Sequence, residues 1–217
     1  MFWNLLLAHL LGDFVFQTDW MVKKRDNLWV LAWHASIHFV LMLFFAGQVR
    51  SVIWPFLLVL AIMHFLQDRI KINFTNKRTD WVGKGFIIDQ GIHYVIIWSV
   101  VYLFKNTTGS VEVAQKPTWV LVAIAYVCVS YVWFIIERIF NLSNLDYLHN
   151  INATKFSRML SRTGLISLFL LLRTWTTAGM AIGFSNPYPQ SEFRQKAMLT
   201  DISVSLIAMV FLVWALG

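Results

Sequence analysis

Long apolar blocks alternate with short polar segments along the whole chain. Seven such blocks lie near residues 1–18, 28–46, 52–68, 85–104, 118–137, 164–184 and 200–217. A helix needs about 20 apolar residues to cross the hydrocarbon core of a bilayer. The pattern therefore predicts an all-α fold, a polytopic membrane helix bundle with about seven transmembrane helices. The first block lacks a basic start and a small-residue cleavage site, so we expect it to remain in the mature protein.

Composition agrees with a membrane protein. Of 217 residues, 58% are hydrophobic and 13% are charged, whereas soluble domains carry about 25% charged residues. The single cysteine, Cys128, lies in an apolar block, which excludes an intramolecular disulfide and a thiolate metal cluster.

Basic residues are distributed unevenly between the polar segments. Those after the first, third and fifth blocks hold 12 Lys and Arg residues, and those after the second, fourth and sixth hold five. The positive-inside rule places the first set in the cytoplasm. We therefore predict a bacterial inner-membrane protein with its N-terminus outside and its C-terminus inside. Orientation and contact with anionic lipid explain the net charge of +7 better than nucleic-acid binding does.

A polar stretch at residues 105–117, KNTTGSVEVAQKP, marks a candidate domain boundary. We expect a four-helix membrane bundle at residues 1–105 and three further transmembrane helices, of unknown role, at residues 106–217. Five of the six histidines precede this boundary, so any site that depends on imidazole is expected in the first domain.

Each of the first four blocks carries one pair of His or Asp residues spaced four apart. Residues at this spacing share one face of a helix, about 5–6 Å apart, and chance would give about one such pair in this chain. The pairs are His9 with Asp13, His34 with His38, His64 with Asp68, and Asp89 with His93. At about 1.5 Å per residue, all four lie roughly 6–12 Å from the predicted cytoplasmic helix ends.

Five imidazoles and three carboxylates at one depth predict a divalent metal site. These ligands suit zinc, manganese or iron, and eight side chains exceed the needs of one tetrahedral ion. We therefore expect two ions that share a bridging carboxylate, with some of the eight residues acting as partners that orient the ligands. Two alternatives stay open: hydrogen-bonded His–Asp pairs that tie the helices together, and a proton relay.

Other polar residues near these pairs are candidates for catalysis and substrate binding. Arg69 and Lys71 follow Asp68 at the mouth of the expected site and could bind a phosphate, or else anchor the helix at the membrane interface. Arg173 lies mid-block, where we expect it to pair with Glu137 or meet a polar substrate. The predicted catalytic residues are Asp13, Asp68, Asp89 and Arg69, and the predicted substrate-binding residues are Gln17, Lys71 and Arg173. An interhelical hydrogen bond is the alternative for Gln17.

The segments HLLGDFVFQTDW, WHASIH, HFLQDRIK and IDQGIH together resemble a bacterial integral-membrane family defined only as a domain of unknown function. That family carries an N-terminal H-x-x-G-D-x-x-x-Q motif, which His9, Gly12, Asp13 and Gln17 match here. The resemblance covers roughly residues 1–105. The segments are also similar in style to membrane-bound metal-dependent hydrolases, which place His and Asp pairs in membrane helices.

The leading hypothesis is a metal-dependent membrane hydrolase that acts on a lipid phosphoester at the cytoplasmic interface. HExxH, GxSxG and clustered-histidine oxygenase motifs do not occur in the sequence, which excludes several other enzyme classes. The alternatives are a divalent-metal transporter and a non-catalytic metal-binding membrane protein. The outer halves of the four helices contain almost no polar residues, which disfavours transport. The expected partners are the bilayer and a lipid or small anionic substrate.

Overall fold

A computed structural model describes residues 1–78, 81–108, 118–172 and 191–217 of the chain. Every regular element in these ranges is helical, which confirms the all-α prediction. The helices are α1 Phe2–Phe14, α2 Asp19–Lys23, α3 Leu28–Phe45, α4 Arg50–Lys77, α5 Val82–Thr108, α6 Thr118–Val127, α7 Trp133–Phe140, α8 Leu145–Ala153, α9 Lys155–Leu172 and α10 Ser191–Leu216. A 3₁₀ turn at Gly47–Val49 joins α3 to α4, and a π-helical turn at Cys128–Val132 joins α6 to α7.

Among the described residues, five helical stretches are long and apolar enough to cross a membrane. They are Leu28–Phe45, Gly47–Lys77, Val82–Thr107, Thr118–Phe140 and Gln195–Leu216. Many of their large apolar side chains, such as Val40, Trp98 and Ile207, are exposed. Because such side chains are costly in water and favourable in lipid, these helices are consistent with an integral membrane protein.

The first and sixth predicted spans are not among these five stretches. Helix α1 has 13 residues, about 20 Å of helix, which is less than the roughly 30 Å of a hydrocarbon core. The chain turns after α1, and Thr18 caps α2 by accepting a hydrogen bond from the Met21 amide at 3.4 Å. The sixth predicted span starts inside α9 and continues into residues 173–184, which lie outside the described residues. The total of about seven transmembrane helices therefore stays a prediction.

The chain divides into two compact units, Met1–Val120 and Leu121–Gly217. In the first unit, α1 packs against α3 and α5, α3 against α4, and α4 against α5, which closes a ring of four helices. Buried apolar side chains fill this ring at the end that holds Met1 and the α3–α4 connection: Leu5, Ala8, Met42, Ala46, Ile53, Leu57, Leu60, Ala61, Ile97, Val100 and Phe104. The predicted domain limits at residues 105 and 106 stay a prediction.

In the second unit, α9 packs against α10 and against the π-helical turn, and α7 packs against α8. Helix α8 begins after Asn144, whose side chain accepts a hydrogen bond from the Tyr147 amide at 2.9 Å. One apolar cluster includes Ile166 and Leu212, and another includes Phe134 and Ile151. The second unit thus has apolar clusters of its own.

Candidate metal centre

All eight predicted metal ligands lie toward the same end of the four-helix ring. This end carries the connection at residues 15–27, the last turn of α4 and the first turn of α5, and we call it the loop end. The pairs occupy the last turns of α1, the middle of α3, the second half of α4 and the first half of α5. Seven of the eight residues are buried, and the side chain of Asp13 is 10% exposed. The ring therefore brings residues far apart in sequence into one polar cluster, which we call the His/Asp cluster.

Three overlapping sets within the His/Asp cluster have the spacing that metal coordination needs. In each set, one ligand atom from every residue lies within 4.8 Å of the others. The sets are His9, Asp13, His38 and His64; His34, His64 and Asp68; and Asp68, Asp89 and His93. His64 belongs to two sets and so does Asp68. The cluster could hold a metal ion, and imidazole and carboxylate are the ligands that zinc, manganese and iron accept.

Asp13 lies at the centre of the cluster. Nε2 atoms from two helices surround its Oδ1 atom, at 3.0 Å for His38, 3.2 Å for His34 and 3.7 Å for His64. The other oxygen, Oδ2, accepts a hydrogen bond from Gln90 Nε2 at 2.9 Å and lies 3.5 Å from His9 Nε2. One carboxylate thus links all four helices, which is the position expected of a bridging or shared ligand.

Several buried ring nitrogens in the cluster have no hydrogen-bond partner within the part of the chain that the structure describes. They are Nε2 of His38, His64 and His93, and Nδ1 of His34. The His38 nitrogen is close to Asp13 but is not aligned with it as a hydrogen bond requires. A buried polar atom without a partner is costly and calls for an explanation, and coordination to a metal ion supplies one.

A small cavity lies beside three of these histidines, His38, His64 and His93. Its volume is about 10 Å³, and it is lined by His9, His38, His64, His93, Met42, Leu60, Ile96 and Ile97. That volume holds about one water-sized sphere. The donor atoms and the space therefore both fit one small ion.

Toward the loop end, Lys71 connects two carboxylates of the cluster. Its Nζ atom lies 2.9 Å from Asp68 Oδ1 and 2.7 Å from Asp89 Oδ2. The amide of Gln67 donates to Asp89 Oδ1 at 3.1 Å and to the Asp89 carbonyl oxygen at 2.8 Å. Asp89 therefore has both carboxylate oxygens engaged by protein donors.

Gly12 makes room for one of the histidines. A β-carbon at this position would lie 2.4 Å from Cε1 and 2.5 Å from Nε2 of His38. Any side chain larger than hydrogen would therefore push the His38 ring away from Asp13. At Gly91, which also adjoins the cluster in sequence, an added β-carbon would meet no described atom within 4 Å. Of these two glycines, only Gly12 approaches a cluster side chain so closely.

The remaining predicted site residues lie at the edge of the cluster or away from it. Gln17 Nε2 is 3.5 Å from His34 Nε2. Arg69 donates from Nη1 to the Asp26 carbonyl oxygen at 3.3 Å, and its predicted catalytic role stays a prediction. Arg173 lies outside the described residues. Its suggested partner Glu137 pairs with Arg158, at 2.8 Å between Oε2 and Nη1, and the pairing of Glu137 with Arg173 stays a prediction.

The second unit contains a buried ion network that the sequence analysis missed, and we call it the Arg/acid network. Arg158 also contacts Asp201, with Nη2 at 2.7 Å from Oδ1, and Arg162 Nη1 reaches the same oxygen at 2.7 Å. The two arginines, counted above among loop charges, are 2% and 1% exposed within α9. The hydroxyl of Tyr147 donates to Glu137 Oε1 at 2.9 Å. Two features of the sequence could have indicated this network: acidic residues beside apolar blocks, and two arginines spaced four apart.

The fold and the cluster define an all-helical, apolar bundle with a buried His/Asp group that could hold a metal ion. The family described as "Protein of unknown function (DUF3307)" matches residues 1–122. The chain belongs to this family, which confirms the resemblance to an uncharacterised domain family. No curated protein and no solved structure matches the chain, so the similarity to metal-dependent hydrolases has no support from a named relative.

Proposed function

We propose that the first unit is a metal-dependent membrane hydrolase that cleaves a lipid phosphoester. The observation that carries this proposal is the group of buried imidazole nitrogens that lack hydrogen-bond partners among the described residues, beside a cavity of about 10 Å³. Carboxylate oxygens lie 3.0, 3.4 and 3.5 Å from Nε2 of His38, His64 and His93, but none is aligned as a hydrogen-bond acceptor. In a helix-tying role we would expect these pairs to be aligned. The unpaired nitrogens therefore favour metal binding over the two alternatives left open by the sequence.

A divalent ion of zinc, manganese or iron would supply Lewis-acid chemistry, by polarising a phosphoryl or acyl oxygen and by lowering the pKa of a bound water. Side chains of the cluster supply the ligands and the general base. His9, Asp13, His38 and His64 would hold the ion, and their partners fix the orientation of each ring. Asp68, a carboxylate of the cluster outside that ligand set, would serve as the general base. The number of ions depends on the charge balance of the cluster.

The loop end supports a substrate at the membrane interface. This end carries exposed aromatic residues beside basic ones, including Trp20, Lys23, Lys24 and Trp29. Tryptophan and lysine concentrate where hydrocarbon meets water and head groups. Most basic residues of the first unit lie at this end, so we place it at the cytoplasmic face of a bacterial inner membrane. Lys71, partly exposed there, and Arg69 are the candidates for neutralising a substrate phosphate.

The apolar end of the ring argues against a transporter. A transit site needs a polar path to both sides of the membrane. Beyond the cavity, the ring is filled by buried apolar side chains such as Leu5, Ile53 and Leu57. A path through this end would require that core to open, whereas a hydrolase needs access from one side only.

Metal content and phosphoesterase activity of one matched set of proteins test the proposal. His64→Ala removes a residue shared by two ligand sets, and His149→Ala removes the exposed histidine of α8. We expect purified wild type and His149→Ala to retain zinc, manganese or iron by mass spectrometry and to hydrolyse phospholipid in mixed micelles. His64→Ala should lose both properties while keeping its helical circular dichroism.

Two results would contradict the proposal at different levels. Wild type without metal, even after reconstitution with each ion, would leave the cluster as helix-tying pairs or a proton relay. Stable metal binding without hydrolysis of any phosphoester or acyl ester would leave a non-catalytic metal-binding protein.

A further inference from the structure

The His/Asp cluster has two unlike halves. The half nearer the apolar end contains the ring nitrogens of His38 and His64, unpaired among the described residues, and the small cavity. His93 adjoins both halves, because its ring lines the cavity and its Nε2 lies 3.5 Å from Asp89 Oδ1. In the half nearer the loop end, protein donors already contact Asp68 and Asp89. The first half offers unpaired nitrogen atoms to a cation. The carboxylates of the second half already accept hydrogen bonds from the protein, so the two halves would bind a cation differently.

Lys71 sits where a cation would bridge the two carboxylates. Its Nζ atom lies within 2.9 Å of one oxygen from Asp68 on α4 and one from Asp89 on α5. Both aspartates are 4% exposed, so their carboxylates are screened little by water. An ammonium between two carboxylates makes charge-assisted hydrogen bonds to each, and it leaves no position for a second cation between the same oxygens.

Charge balance leads to the same arrangement. Asp13, Asp68 and Asp89 bring three negative charges to the cluster, and within the described part of the chain Lys71 is the lysine in contact with Asp68 and Asp89. Imidazoles are neutral when they act as ligands, and with all five imidazoles of the cluster neutral its net charge is −2. Two negative charges remain, which one divalent ion balances. Two divalent ions would leave two positive charges in a poorly screened interior, where uncompensated charge is costly.

We propose that Lys71 takes the place of a second metal ion, so that the cluster is a centre of one divalent ion and one lysine. The ion lies among His9, Asp13, His38 and His64, and the Lys71 ammonium closes the Asp68–Asp89 pair. This inference rests on the proposed metal centre and specifies its stoichiometry. It also assigns Lys71 a positioning role toward two carboxylates, beyond the contact with a substrate phosphate that the sequence suggested.

Manganese loading of the purified full-length chain tests this arrangement. Each protein is saturated with Mn²⁺, excess ion is removed, and bound metal is counted by mass spectrometry. Electron paramagnetic resonance then distinguishes isolated Mn²⁺ from an exchange-coupled pair. Wild type should bind about one equivalent of isolated Mn²⁺, and Lys71→Ala should bind about two, with a coupled spectrum, as in sites where two ions lie about 3.5–4 Å apart.

Matched variants separate the lysine's position from its charge. Lys71→Arg keeps a cation beside both carboxylates and should bind one equivalent. Lys77→Ala removes the same charge from an exposed position at the end of α4 and should also bind one. If Lys71→Ala does not fold, Lys71→Met keeps the length of the side chain and carries the same expectation.

The possible outcomes are distinct. Two coupled ions in wild type would overturn the inference and leave the proposed hydrolase intact. One ion in a folded Lys71→Ala or Lys71→Met would also overturn it, because the Lys71 ammonium would then not be occupying the position of a second ion. No metal in wild type would contradict the proposed function itself.

Discussion

The two units of the chain each bury a charged cluster among helices, but the clusters differ in their balance of charge. In the Arg/acid network, the two arginines face the two carboxylates of Glu137 and Asp201. The His/Asp cluster has three carboxylates, and one lysine contacts two of them. Both clusters contain buried polar atoms without a hydrogen-bond partner among the described residues, including Nε2 of His38 and Nε of Arg162. One network is balanced by its own residues and the other is not.

We expect this difference to distinguish a structural network from a binding site. Buried charges that pair within the protein stabilise the folded state mainly because removing one partner is so costly. Buried ligand atoms that remain unpaired and excess negative charge together call for a cation. We therefore expect the second unit to depend on its arginines whatever the metal content, and the first unit to depend on metal.

The largest effect is expected from Arg158→Ala in the Arg/acid network. This change leaves Glu137 without its arginine partner and removes one of the two that contact Asp201. Breaking a buried ion pair costs about 3–5 kcal/mol, and we expect that loss in the free energy of unfolding, measured in detergent micelles. Arg138→Ala, at an exposed position in α7, should change it by less than about 0.5 kcal/mol. An Arg158→Ala protein as stable as wild type would mean that the network is not structural.

Metal removal should act on the first unit and not on the second. A ligand present at about 100 times its dissociation constant stabilises the folded state by about 2.7 kcal/mol. Chelation should therefore lower hydrogen-exchange protection in α1, α3, α4 and α5, by up to that amount. Protection in α9 and α10 is expected to stay unchanged. Equal losses in both units would remove the distinction between the two clusters.

A methyl group at Gly12 should disturb the His/Asp cluster directly. In Gly12→Ala the new β-carbon would meet the His38 ring at 2.4 Å, and overpacking of this kind costs about 1–3 kcal/mol. We expect lower stability and weaker metal binding, measured by thermal unfolding and by metal content. Gly91→Ala, with no described atom near its β-carbon, should instead gain up to about 1 kcal/mol from helix propensity. Similar behaviour of the two variants would show that Gly12 is not needed for His38.

The spacing of the His and Asp pairs was sufficient to predict the group of residues that the fold brings together. Residues four apart share a helix face, and sequence separations of about 25 residues between pairs allow antiparallel helices to bring those faces to one end. The pair at His64 and Asp68 therefore lies near the pair at Asp89 and His93, as their similar predicted depths required. Whether these residues bind metal and catalyse a reaction remains a prediction.

Other features depend on side-chain geometry that spacing does not contain. The engagement of Asp89 by Gln67 and Lys71 follows from rotamers and helix rotation, and no periodicity in the sequence distinguishes it from a direct ligand. The burial of Arg158 and Arg162 was missed because a basic residue in a polar stretch resembles a loop charge. The length of the first helix was overestimated because the hydropathy pattern does not show that the chain turns after α1.

The smallest effect is expected at the edge of the Arg/acid network, in Tyr147→Phe. Burial, and then the nearby Glu137 carboxylate, raise the pKa of Tyr147, so its hydroxyl stays a donor to Glu137 at neutral pH. Because Glu137 keeps its contacts with Arg158, losing this hydrogen bond should cost about 1 kcal/mol. Tyr126→Phe, which removes an exposed hydroxyl contact with Ser167, should cost less than about 0.5 kcal/mol.

The pH dependence of the Tyr147→Phe effect provides an internal check. A tyrosine whose pKa is raised by folding contributes its full stabilisation below the pKa of the unfolded chain, about 10, and loses it as the pH rises further. The difference in unfolding free energy between wild type and Tyr147→Phe should therefore be the same at neutral and mildly alkaline pH, and should shrink above about pH 10. A difference that grew with pH would mean that Tyr147 stabilises the network as a phenolate, and that the charges of the second unit are less completely paired than those contacts indicate.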